Sequence, residues 1–123
     1  MTLFIAEQSQ IVRASIINLV SDLEGVEVVG SGRSVSALLS GVSRLRPDVI
    51  LLDVQLCSNC SVDLPRLMKV ARPALQVIVL ANHPRAQLGE DTQRAVEGAD
   101  DFVNKVVELD RLTEILRRFT PVA

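Results

Sequence analysis

The sequence predicts an α/β protein, a doubly wound five-stranded parallel sheet with helices on both faces, and three observations predict it. Short apolar runs recur at fairly even spacing, at residues 3–6, 26–29, 49–52, 77–81 and 102–103. Segments of helical apolar period lie between them, and strand alternating with helix builds a parallel sheet. The runs Val49-Ile50-Leu51-Leu52 and Val77-Ile78-Val79-Leu80 are apolar at successive positions, as strands covered on both faces must be, whereas Val26-Glu27-Val28 alternates like an edge strand.

The first helix aligns Val12, Ile16, Leu19, Val20 and Leu23, with Ser9 as N-cap and Gly25 as the expected left-handed stop. The second opens on Ser34, aligns Val35, Leu38, Leu39, Val42 and Leu45, and ends before Pro47, because the residue preceding a proline is steered out of the helical region. After Asp53 the sequence reads as a loop. A third helix shows Leu64, Leu67, Met68 and Ala71, with Pro65 tolerated in its first turn and Pro73 as terminator. Residues 85–97 are the weakest helical segment, since Gly89 and a polar run leave a thin apolar face. The last helix aligns Leu109, Leu112, Ile115, Leu116 and Phe119 and closes against Pro121.

At 123 residues, 48% hydrophobic and 23% charged, with mean hydropathy +0.31, the chain supports one domain over residues 1–123 with a real core. Thirteen Lys and Arg against fifteen Asp and Glu leave a net charge of -2, which gives no long-range attraction for a nucleic-acid backbone. The longest apolar run, residues 77–81, is far short of the roughly 18 residues a bilayer demands. No basic segment precedes Leu3, so the start does not read as a secretory signal, and a cytoplasmic location is expected. Two cysteines are too few for a disulfide framework.

In open parallel sheets, ligands bind beyond the carboxyl ends of the strands. There the chain places Glu7-Gln8, Asp53, Ala81-Asn82-His83 and Asn104-Lys105. If the strand order is 2-1-3-4-5, Glu7 and Asp53 end neighbouring strands about 4.8 Å apart. Lys105 lies two strands away from Asp53, roughly 10 Å at the backbone, which a lysine side chain largely covers. Two close carboxylates favour a divalent cation such as Mg²⁺, and an aspartate can attack phosphorus while a metal and a lysine neutralise the equatorial oxygens. The alternative is that Asp53 ends a strand and pairs with Lys105 as a structural ion pair.

The segments Leu3-Phe4-Ile5-Ala6-Glu7-Gln8, Arg46-Pro47-Asp48-Val49-Ile50-Leu51-Leu52-Asp53-Val54-Gln55-Leu56 and Gly98-Ala99-Asp100-Asp101-Phe102-Val103-Asn104-Lys105 resemble the three signature segments of response-regulator receiver domains, in order and at the right spacing. The resemblance implies a flavodoxin-like (βα)5 fold and an aspartyl phosphate made with Mg²⁺ from a histidine kinase or a phosphotransfer protein. Position by position it implies Asp53 as phosphoacceptor, Lys105 as the family lysine, Glu7 as one acid of the metal-binding pair, the Gln55 backbone carbonyl as a metal ligand and Phe102 as the aromatic switch. It further implies a target protein or an output domain outside this chain, and homodimer formation is a further expectation.

The chain departs from that pattern at several positions. Gln8 stands where the family has a second acid and offers only a weak neutral oxygen, so Mg²⁺ binding is expected to be weakened. Ala81 replaces a Ser or Thr, and a methyl group donates nothing to a phosphoryl oxygen. Val106 replaces a proline after Lys105, so a trans peptide is expected there. The alternative these departures raise is a pseudo-receiver that binds partners without phosphate.

Cys57-Ser58-Asn59-Cys60 fills the loop after Asp53 and admits a reversible disulfide, a metal site with His83, or incidental loop cysteines. His83 by itself reads as a loop residue. Arg111, Arg117 and Arg118 read as a solvated helix face. A flavin-binding protein of similar strand order is disfavoured by the absence of Trp and Tyr and of a Gly- or Ser/Thr-rich loop after the first strand. The resemblance implies a partner-meeting region that includes the segment 85–97, which reads either as a mobile docking surface or as an ordinary surface helix.

Overall fold

The structure, a computed structural model, describes residues 1–58, 60 and 62–119. Its strands are β1 (Thr2–Ala6), β2 (Glu27–Gly32), β3 (Val49–Asp53), β4 (Gln76–Ala81) and β5 (Asp101–Asn104). The helices are α1 (Gln10–Ser21), α2 (Val35–Leu45), α3 (Val54–Ser58), α4 (Leu64–Ala71), α5 (Glu90–Ala95) and α6 (Leu109–Arg117), with a 3-10 turn at Arg85–Gln87. All neighbouring strands are parallel, in the order β2-β1-β3-β4-β5. This is the expected fold, with β2 at an edge and β3 in the centre.

Side-chain alternation splits the core in two. Leu3, Ile5, Val49, Leu51, Ile78, Leu80 and Val103 face one way, against Ile16 and Val20 of α1 and Leu112, Ile115 and Leu116 of α6. Phe4, Ala6, Ile50, Leu52, Val77 and Val79 face the other way, against Leu38 of α2, Leu56 of α3, Met68 of α4 and Ala95 of α5. On that second face the ring of Phe4 lies where a Cβ on Gly41 would stand, so α2 approaches β1 closely only because residue 41 has no side chain.

Several boundaries differ from the sequence reading. Helix α1 stops at Ser21 with Asp22 as a right-handed C-cap, and Gly25, at φ 81°, turns the chain toward β2 instead of ending the helix. Strand β2 runs to Gly32, because its backbone pairs with β1 through Ala6↔Gly32 although Ser31 and the two glycines carry no apolar signal. Residues 54–58, expected to be loop, form α3: the Asp53 carboxylate accepts from Gln55 N, and Leu56 and Cys57 turn into the core. The 85–97 segment holds only the 3-10 turn and the short α5, in keeping with its thin apolar face. Helix α6 ends at Arg117; Pro121, its expected terminator, and Asn59 lie outside the described residues. No peptide bond among the described residues is cis, so Lys105-Val106 is trans as expected. None of the described helices is long and apolar enough to cross a membrane.

Candidate functional site

Strand phase gathers the site. Glu7, Asp53 and Lys105 each lie two residues beyond Ile5, Leu51 and Val103, three residues of the core under α1 and α6. Period-two alternation therefore projects all three to the same side of the sheet. Register sets their heights: Ile5 pairs with Leu51, which puts Glu7 level with Asp53, and Asp53 lies in line with Leu80 and Val103, which puts Lys105 two residues beyond it. The ladder carries on past the strands, with Glu7 N donating to Gly32 O and Lys105 N to Ala81 O. At their carboxyl ends the ammonium group of Lys105 sits 2.8 and 3.0 Å from the two oxygens of Glu7 and 3.6 Å from Asp53 Oδ1.

All three side chains are more than nine-tenths buried. One cation between two anions leaves the cluster one negative charge in excess, in a place where desolvation is costly. Burial, and secondarily the nearby Asp53 carboxylate, raise the Glu7 pKa against the pull of Lys105. Ser9 N donates to Glu7 Oε1 at 3.3 Å, and Arg13 clamps the Glu7 carbonyl at 2.8 Å from the first turn of α1. Asp53 Oδ1 accepts from Gln55 N at 3.1 Å. Asp53 Oδ2 takes no hydrogen bond among the described residues, and since no buried side-chain oxygen there is left unsatisfied, it is not sealed from solvent.

A cavity of about 290 Å³ opens over this cluster, lined by Glu7, Gln8, Asp53, Gln55, Asn82 and Lys105 among others. Gln8 is exposed at its mouth. The Gln55 carbonyl accepts from Ser58 Oγ at 3.0 Å. Ala81 is buried at the end of β4, and half-buried Phe102 packs on the core beneath α2 to α5 with the Arg85 guanidinium 5.8 Å from its ring centre. The spacing argument brought Lys105 to Asp53; the structure makes Glu7 its principal partner. Arg13 and Ser58 were missed, because their contacts are to backbone carbonyls, which leave no mark in side-chain type.

Cys57 and Cys60 are free thiols. Burial pushes the Cys57 thiol up to about 12, and both sulfurs donate to backbone carbonyls one helical turn back, of Asp53 and Leu56. His83 lies exposed beyond β4. Among the described residues no group of three His, Cys, Asp or Glu is placed to hold a metal. Arg111, expected to be a merely solvated residue, donates to Phe102 O and pairs with Asp101 and Glu108, so it fastens α6 to β5. The Gly98-Ala99-Asp100 segment has a structural task as well: Gly98 N donates to the Asp63 cap of α4, and Asp100 accepts from Val77 N and pairs with Lys69.

Comparison with known proteins matches the response regulator receiver domain family to residues 3–117. The response regulator GacA of Pseudomonas aeruginosa is 24% identical over 114 residues, 93% of this chain and 52% of that protein. The DNA-binding transcriptional activator DevR/DosR of Mycobacterium tuberculosis is 28% identical over 105 residues, 85% of this chain and 48% of that protein. This chain thus spans about half the length of these relatives. Among solved structures, a LuxR-family two-component response regulator from Aurantimonas sp. SI85-9A1 superposes with a TM-score of 0.79 at 17% identity, covering 95% of this chain and 82% of that one. The isolated REC domain of RcsB from Salmonella enterica serovar Typhimurium, solved in the presence of phosphomimetic BeF3-, gives 0.72 at 21% identity, covering 99% and 91%. Because the family match runs from the first strand into the last helix, it covers the fold rather than one motif, and this chain belongs to the response regulator receiver domain family.

Proposed function

We propose that Asp53 accepts a phosphoryl group from a histidine kinase or a phosphotransfer protein and that the resulting acyl phosphate changes the chain's affinity for a protein partner. As a receiver domain the chain is a signalling module rather than a metabolic enzyme. The observation that carries the reading is the buried cluster in which one ammonium group lies within 3.6 Å of Asp53 and 2.8 Å of Glu7, under a cavity open to solvent. Asp53 Oδ2 forms the new O–P bond as the donor's N–P bond breaks, and the leaving imidazole takes its proton from solvent. Lys105 then faces a phosphoryl oxygen in place of the carboxylate it holds now, and its charge stabilises the equatorial oxygens.

The hard-oxygen donor set fits Mg²⁺, which takes one or two carboxylates and completes its shell with water and phosphate oxygens. Glu7, Asp53 and the Gln55 carbonyl would hold it, with Gln8 as a weak neutral donor; when bound, the ion adds its charge to that of Lys105 against the phosphoryl group. Among the described residues Glu7 and Asp53 are the two carboxylates lining the cavity, so the affinity is expected to be low. Partners are proteins: the donor kinase, and a target, an output domain or a second copy.

A second reading, a pseudo-receiver that binds its partner without phosphate, is favoured by Lys105 giving both short contacts to Glu7 and by the methyl group of Ala81 at the end of β4. Incubation with acetyl phosphate and Mg²⁺ followed by intact-mass measurement separates the two. Phosphorylation adds one phosphoryl mass to the native chain and none to Asp53→Asn; no gain in the native chain leaves the pseudo-receiver standing.

A further inference from the structure

We propose that the groove between α2 and α4 is a docking site for an acidic amphipathic helix of a partner protein. The two helices leave a cavity of about 460 Å³ between them, lined by Leu39, Val42, Arg46, Leu67, Met68 and Arg72 among others. Met68 is buried, while Leu39 and Leu67 stand 41% and 49% exposed. An apolar trough between two helices has the shape that receives one helix face through its i, i+3 or i+4 and i+7 side chains.

Charge selects the occupant. Neither α2 nor α4 contains an acidic residue, and among the described residues lining the groove Arg46 and Arg72 are cationic and none is acidic. Arg72 donates to the Pro47 carbonyl and pairs with Asp48 just before β3. Arg44 and Arg46 pair with no carboxylate among the described residues. Arg44 complements the dipole of the last turn of α2, a sufficient reason for its charge. Arg46 lies beyond that turn.

Arg46 supplies a second, independent observation. It caps α2 at φ 48°, the only positive-φ residue other than glycine among those described. Glycine adopts that conformation without the steric cost a side chain meets there. A strained residue held in place of the cheaper one points to a use for its side chain. Arg46 is one of the residues lining the groove. A second copy is the poorer occupant, because two such faces would set arginine against arginine. A lipid surface is poorer too, since a concave trough presents its apolar residues to one inserted element rather than to a plane.

The test uses the whole 123-residue chain and a fluorescein-labelled synthetic helix with leucines at i, i+3 and i+7 and glutamates elsewhere, with anisotropy as readout. Saturable binding is expected, weakened about tenfold or more by Leu39→Glu, and absent for the same peptide with lysines in place of glutamates. Arg46→Gly is the sharper variant: it relieves the backbone and raises Tm while weakening the peptide. Binding that is indifferent to Arg46→Gly, or equal for the acidic and basic peptides, overturns the proposal. So does self-association in sedimentation that Leu39→Glu abolishes, which gives the groove to a second copy, or binding to anionic vesicles but not to the peptide.

Discussion

Glu7 shows how far a tertiary setting moves one carboxyl group. Its pKa is raised chiefly by burial and then by Asp53, with Lys105 only partly offsetting both. A raised folded-state value means that the folded chain binds this proton more tightly than the unfolded chain does. Its contribution to stability is therefore fully present below 4.5, the ordinary value, and is lost as pH rises through the folded value. Protons also compete with metal for the same oxygens. Mg²⁺ affinity, followed by titration calorimetry, is expected to fall on acidification at a higher pH than an ordinary glutamate would give. Glu7→Gln is expected to lower the affinity by roughly tenfold or more and to remove that pH dependence. Unchanged affinity in Glu7→Gln would take Glu7 out of the metal site.

At the scale of elements, α2 depends on contact with β1 through the absence of a side chain. A Cβ on Gly41 would stand 2.3 Å from Cε2 of Phe4, which is itself buried in the core. Gly41→Ala is therefore expected to cost about 1–3 kcal/mol in urea unfolding, against the small gain that alanine brings to an exposed helix. An unchanged midpoint would mean that α2 is free to move off the sheet. Helices α1, α2, α4 and α6 were legible because each carries a periodic apolar stripe, and the caps Ser9 and Ser34 were read correctly. Two elements were not. Helix α3 is a single short turn whose formation depends on the Asp53 carboxylate and on burial of Leu56 and Cys57, and five residues hold too little periodicity to announce it. The far half of β2 is polar and glycine-rich; it is a strand because β1 supplies its hydrogen-bond partners.

For the whole molecule, the proposed function requires phosphorylation to shift a conformational equilibrium, and such a shift equals the difference in stabilisation between the two states. Gln8 supplies a neutral oxygen at the cavity mouth, and Ala81 cannot donate to a phosphoryl oxygen. Gln8→Asp is expected to raise Mg²⁺ affinity. Ala81→Ser is expected to strengthen the phosphorylated state by about 1.5–3 kcal/mol, the worth of one hydrogen bond to a charged group. Calorimetry checks the first, and the lifetime of the acetyl-phosphate adduct by intact mass checks the second. If neither variant changes its readout, positions 8 and 81 do not touch the phosphoryl site.

The sequence by itself determined the five-strand alternation, the central and edge strands, and the identity of the three residues that meet at the carboxyl edge. Apolar period and strand phase are local properties, and Ile5, Leu51 and Val103 carry their phase two residues onward to Glu7, Asp53 and Lys105. Only the tertiary structure decided how the two carboxylates share the Lys105 ammonium group, with Lys105 closest to Glu7 and Asp53 Oδ2 left open. It also decided that α2 and α4 leave an arginine-lined groove between them. Both outcomes depend on distances between elements far apart in the chain, set by the packing of side chains across the sheet.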